Sequence, residues 1–186
     1  SNSGLSQAEA LASVEEALTR VPRIGVGTST TPSVEIILEA GVTFTEPSLY
    51  WGTPWQQVEI RSDTSNTEAV ISSTGSSYGI RLRSSYIRFT DVRLKPDDTS
   101  NKFTDAIYAD FASFPEFNGG VTIRTGSDSG VQAKPCSVIN FIDDGEVVGY
   151  NDSALGVVAN QFAYASGSTN ATISDCYIGL VSDDDA

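Results

Sequence analysis

The chain has no histidine and no methionine, and only two cysteines among its 186 residues. Without histidine, neither a serine–histidine pair nor a histidine-held zinc or iron site can form from this chain alone. Cys136 and Cys176 are too few for a disulfide framework. In the strand-like contexts CSVINFI and DCYIGL they read as buried free thiols, with a disulfide as the alternative. Methionine is missing at position 1 as well, so we expect a processed or excised chain, the N-terminal part of a longer molecule. Basic residues are scarce: eleven Lys and Arg stand against twenty-four Asp and Glu, a formal net charge of -13. Such a surface repels nucleic acid and anionic membranes, and neither is expected as a partner. No apolar run approaches a membrane span, and the first residues carry no basic-then-apolar signal. Gly25-Val26-Gly27 lacks the strand-to-helix setting of a phosphate-binding loop.

What is present is a short helical pattern followed by many short β-rich blocks. Ser6 to Arg20 places Ala8, Leu11, Val14 and Leu18 on one apolar stripe, with Ser6 and Glu9 as a capping box. Val21-Pro22 ends it, since the residue before proline is pushed out of the α region. Residues 1–23 are therefore expected to form a capping helix and linker, and residues 24–186 the β domain. From Tyr78 to Asp98 the pairs Ile80 and Leu82, Ile87 and Phe89, and Val92 and Leu94 alternate with polar residues. That period marks strands with one buried face. Blocks starting at Val34, Val58 and Gly79 recur at about 20 to 25 residues, as stacked repeats do. The period blurs beyond Lys95, and Asp144-Gly145 has the look of a hairpin turn. An antiparallel excursion in the C-terminal third is the corresponding expectation.

Short strands, tight polar bends and runs such as YGIRLRSSYIRFTDVRL resemble the coils of right-handed parallel β-helix proteins of the pectin-lyase-like class. The resemblance covers roughly Pro32 to Ile178 and rests on pattern. It implies an all-β fold, a right-handed parallel β-helix with an N-terminal capping α-helix. Proteins of this class include polysaccharide lyases and hydrolases, bacteriophage tailspikes and receptor-binding proteins, and surface adhesins. The chain is closest in character to the phage group. This implies a homotrimeric virion or extracellular component that contacts a host-surface polysaccharide or other virion proteins. The competing fold is an immunoglobulin-like sandwich, and the competing function is a polysaccharide lyase or glycoside hydrolase.

No catalytic constellation stands out. An enzyme of this kind would use a carboxylate pair, or a base among Arg81, Arg83, Arg88, Arg93 and Lys95. The acid clusters Asp97-Asp98, Asp143-Asp144 and Asp183-Asp184-Asp185 read as solvated turns, with calcium as the one candidate ion and no cofactor otherwise expected. Two aromatic stretches are more suggestive. Tyr50, Trp51 and Trp55 read as a loop able to stack on sugar rings, and Phe111, Phe114 and Phe117 as a second apolar loop suited to a subunit contact. Charge is uneven too: from Ser137 onward there are eight acids and no Lys or Arg, while Val58 to Lys95 holds six basic residues.

Overall fold

The computed structural model describes residues 11–22, 34–52, 57–96, 103–124, 126–142, 145–149, 155–160, 163–167, 171–176 and 178–183. A helix, α1 (Val14–Arg20), precedes eighteen strands among these residues. They come in threes. The first coil is β1 (Val34–Leu38), β2 (Thr43–Glu46) and β3 (Leu49–Trp51); the second is β4 (Gln57–Ser62), β5 (Ala69–Ser73) and β6 (Tyr78–Arg83). The third is β7 (Tyr86–Thr90), β8 (Val92–Pro96) and β9 (Asp105–Asp110), and the fourth β10 (Phe114–Asn118), β11 (Thr122–Arg124) and β12 (Ser129–Ala133). The fifth is β13 (Val138–Phe141), β14 (Glu146–Val148) and β15 (Leu155–Asn160), and the last β16 (Tyr164–Gly167), β17 (Thr172–Ser174) and β18 (Ile178–Asp183).

Each coil gives one strand to each of three six-stranded parallel sheets: A (β1-β4-β7-β10-β13-β16), B (β2-β5-β8-β11-β14-β17) and C (β3-β6-β9-β12-β15-β18). The expected all-β fold, a parallel β-solenoid behind one short helix, is therefore what the structure shows. Three expectations need correction. Val58 does pair with Val34, but its next partner is Ile87 on β7; Gly79 belongs to a different sheet. Strands of neighbouring sheets alternate alike, so pattern alone misassigns which block repeats which. The period also does not fail beyond Lys95: parallel pairing continues to β18. Nor do β13 and β14 form a hairpin, because they lie in different sheets, each paired in parallel with the coils on either side. Asp144 itself lies outside the described residues.

Stacking in register turns the period-two pattern into continuous apolar ladders. In sheet A the inward column runs Ile36, Ile60, Phe89, Phe117, Phe141. Its three phenyl rings stack with centroids 5.8 and 4.7 Å apart. In sheet B, Phe44, Ile71, Leu94, Ile123 and Val147 align, and in sheet C, Leu49, Ile80, Ile107, Val131 and Val157. Each strand keeps one face in the core and the other outward, so its sequence alternates where a parallel strand covered on both faces would read as a continuous apolar run.

Left-handed residues bend the chain at its corners, Asp175 (φ 53°) doing so between sheets B and C. Between sheets A and B these are Gly41 (φ 73°), Asn66 (φ 60°), Asp91 (φ 52°) and Gly119 (φ 70°), residue types that tolerate this region. The Asp91 carboxylate then accepts a hydrogen bond from Gly120 N–H of the next coil at 3.1 Å, tying one corner to the one below. Between sheets C and A the corresponding residues are Ser84, Phe111, Ala112 and Cys136.

The helix closes the first coil. It begins later than the sequence pattern suggests: Leu11 to Ser13 are not helical, and Ser13 is the N-cap, its hydroxyl accepting from Glu16 N–H at 3.0 Å. Ser6 and Glu9 lie outside the described residues. The same Ser-x-x-Glu spacing occurs at Ser13 and Glu16, and it is this second copy that caps. Buried Glu46, at the end of β2, accepts from Val14 N–H at 2.6 Å and Glu15 N–H at 3.2 Å. A carboxylate there meets the unpaired donors and the positive end of the helix. Val14, Leu18 and Val21 join the same apolar core as the strands, so the helix seals the coil as expected.

Candidate functional site

The outer faces of the sheets carry the polar and aromatic side chains, again in columns. On sheet A, Tyr86 and Phe114 are register partners, and the next column contains Glu59, Arg88, Glu116, Asn140 and Ser166. Tyr86, Phe114, Pro115, Glu116, Val138, Asn140 and Ser166 line a shallow recess of about 220 Å³. Its polar groups are held in place. The Tyr86 hydroxyl donates to Glu116 Oε1 at 2.8 Å, and Arg88 Nε donates to the same oxygen. Ser166 donates from its hydroxyl to Asn140 Oδ1 at 2.8 Å, which orients the amide so that Nδ2 remains as a donor. Burial, reinforced by Glu116, pushes the Tyr86 phenol well above its ordinary pKa, so it stays protonated at neutral pH. The recess thus offers an exposed phenyl face, an amide donor, a hydroxyl oxygen and an anchored carboxylate.

Sheet C carries a second cluster. Tyr50, Arg81 and Tyr108 are successive register partners. The Arg81 guanidinium lies 5.7 and 5.6 Å from the ring centroids of Tyr78 and Tyr108, and its Nη2 pairs with buried Asp110 at 2.5 Å. The hydrogen bond to Asp110 is the main reason the Arg81 pKa is raised. At the adjoining corner Arg83 covers the Phe111 ring at 4.6 Å.

The aromatic residues singled out in the sequence separate into two groups. Tyr50 is 54% exposed and Trp51 only 4%, because both lie on strand β3, not in a loop, and neighbouring strand residues face opposite ways. Trp51 is a core residue and Trp55 lies outside the described residues. Phe111 (51% exposed) and Phe114 (43%) face outward, whereas Phe117 is fully buried in the phenyl stack. Trp51 and Phe117 therefore present no surface to a ligand or partner. Arg81, Arg88 and Arg93 pair with Asp110, Glu116 and Glu68, and none stands free as a base. Both cysteines are free, but Cys136 is exposed at its corner and Cys176 half-buried, which corrects the expectation of buried thiols. Among the described residues no group of three or more Cys, Asp or Glu side chains could hold a metal ion. Asp97, Asp98, Asp143 and Asp144 lie outside them. No helix among the described residues is long and apolar enough to cross a membrane.

The sequence reading missed Tyr86, Asn140 and Ser166. They sit in three different coils of unequal length, and only the register brings them together.

Comparison with known proteins finds no matching family model, no matching curated protein and no matching solved structure.

Proposed function

We propose that the protein is a non-enzymatic tail spike, fibre or receptor-binding component of a bacteriophage virion, one that contacts a host-surface glycan through the recess on sheet A. The observation that carries this reading is the chemistry of the recess. Phe114 offers an apolar face for the C–H side of a sugar ring, and Asn140, Ser166 and Glu116 surround it with fixed hydrogen-bonding groups for hydroxyls. Stacked sheets supply a rigid support, so little ordering is needed on binding. The resemblance to phage β-helix proteins supports the virion setting, and exposed Phe111 and Tyr50 supply apolar surface for a homotrimer contact.

A glycan panel, read for both binding and product release, tests the proposal. We expect saturable binding of an oligosaccharide that is left intact and is weakened about tenfold by Phe114→Ala, the scale of one lost aromatic contact. Steady release of reducing ends or unsaturated sugars would replace the reading with a polysaccharide lyase or glycoside hydrolase. Light scattering tests assembly: a trimer is expected, and a monomer at all concentrations would remove the subunit contact.

A further inference from the structure

Three of the eleven basic residues stand side by side on the outer face of sheet B. The register places Thr122 beside Arg93 and Ile123 beside Leu94, so Arg124 falls beside Lys95. Leu94 and Ile123, the residues between, are 2% and 0% exposed, which puts their four neighbours on the outer face, all half-buried. Strand spacing of about 4.8 Å and an alternate-residue repeat of about 6.6 Å make this a compact four-cornered patch of three cations and one hydroxyl.

On the other sheets Arg61, Arg81 and Arg88 each meet a carboxylate on an adjacent coil, while Arg83 lies over the Phe111 ring and, like Lys134, forms no ion pair among the described residues. Here Arg93 pairs with Glu68 at 2.6 Å, yet its Nε is buried without a hydrogen-bond partner. Among the described residues neither Lys95 nor Arg124 has an ion-pair partner, although the chain carries twenty-four acids. Glu68 already meets the Arg93 charge and Glu146 stands beside Thr122 on the next coil, so the uncompensated charge is that of Lys95 and Arg124. Two adjacent uncompensated cations on a rigid sheet repel one another and lower their energy by sharing an anion.

We propose that Lys95, Arg124, Arg93 and Thr122 form a binding site for an oxyanion group, a sulfate or carboxylate, carried on an anionic polysaccharide. The anion site stands on this patch alone; the polysaccharide as carrier rests on the glycan-binding reading above. A nucleic acid fits less well, because its closely spaced phosphates would extend from the small patch onto a surface of net charge -13. Spaced charges on a glycan can place one group on the patch and keep the others in solvent.

The test is binding of dextran sulfate and carboxymethyl dextran by calorimetry at low ionic strength, with uncharged dextran and inorganic sulfate alongside. Wild type is expected to bind a charged dextran with an affinity that falls as salt is added. Lys95→Gln with Arg124→Gln should weaken it by about tenfold per lost cation, and Arg61→Gln, at a cation already paired with Glu35 on sheet A, should leave it unchanged. That pattern holds whether or not the sheet A recess takes a glycan, so the two readings fail separately. Binding of inorganic sulfate alone, with no gain from the polymer, would keep the anion site and overturn the polysaccharide carrier. No binding by wild type, or equal binding by the folded double variant, would overturn the site. Acetylation of the wild-type protein gives a second readout that needs no variant. Dextran sulfate should slow modification of Lys95 relative to Lys134, and equal rates would also overturn the proposal.

Discussion

Strand β10 contains the molecule's main contrast within five residues. Phe117 points inward and stacks between Phe89 and Phe141, with no exposed surface; Phe114, three residues earlier, faces outward beside Glu116 and is 43% exposed. Both are phenylalanines in one strand of one sheet. The inner column is a single apolar solid in which a lost ring leaves a cavity. The outer column is a row of separate side chains in which a lost ring leaves solvent. Identical residues therefore carry different information: the inner one specifies the fold and the outer one is available for recognition.

The contrast can be broken most sharply at Phe117. Phe117→Ala should cost about 3–5 kcal/mol, because it removes the middle ring of the stack and the rigid backbone cannot collapse around the gap. Urea unfolding would show it as a lower midpoint, and a loss below about 1 kcal/mol would mean that the phenyl ladder is not a tight core. Glu46 extends the test to the capped end of the solenoid. Glu46→Gln keeps the shape but removes the charge that meets Val14 N–H and Glu15 N–H, with an expected loss of about 2 kcal/mol. Unchanged stability would show that the apolar side chains of α1 hold it without the carboxylate.

Asp105 sharpens the comparison from the other side, as a buried carboxyl group among the inner residues. Its pKa is raised from 3.8 to about 6, chiefly by burial; Asp128 adds to the shift, while the Ser129 hydroxyl at 2.6 Å and Lys134 oppose it. The folded state therefore keeps this proton to higher pH than the unfolded chain does. Its effect on stability is favourable below about pH 4, falls as pH rises through the window to about 6 and is then constant. Asp105→Asn should remove that loss, raising stability at pH 7 by about 1–2 kcal/mol with the advantage vanishing below pH 4. Thermal melts of the two proteins across this range give the check; a constant gap would contradict the assignment. The smallest effect belongs to the outer ring: Phe114→Ala should change stability by no more than about 0.5 kcal/mol. A larger loss would mean that this ring packs like an inner one, and would weaken its role in recognition.

Alternation in Tyr78 to Asp98 was enough to define three consecutive strands, because a side chain's face on a strand depends only on its parity. The fold class was legible for the same reason. Which strand lies beside which was not, since Gly79 and Ile87 begin equally good β patterns and only the path of the corners assigns one to sheet C and the other to sheet A. The helix start was misplaced because two Ser-x-x-Glu spacings compete, and contact with Glu46, thirty-two residues from Val14, favours the later one. Trp51 illustrates the limit of composition: an aromatic residue among turn-forming neighbours reads as a loop until its strand parity is known.

The sequence by itself determined an acidic, histidine-free, all-β chain with period-two strands and a short amphipathic helix, properties set by residue type and by neighbours a few positions away. The tertiary structure decided the register, and with it everything that depends on residues a full coil apart. It set Tyr86 and Arg88 against Glu116, Asn140 against Ser166, and Lys95 beside Arg124. Coils of unequal length, 24 residues from Val34 to Val58 and 29 from Val58 to Ile87, hide those partners from any fixed spacing, because the corners absorb the difference while hydrogen bonding keeps the strands aligned.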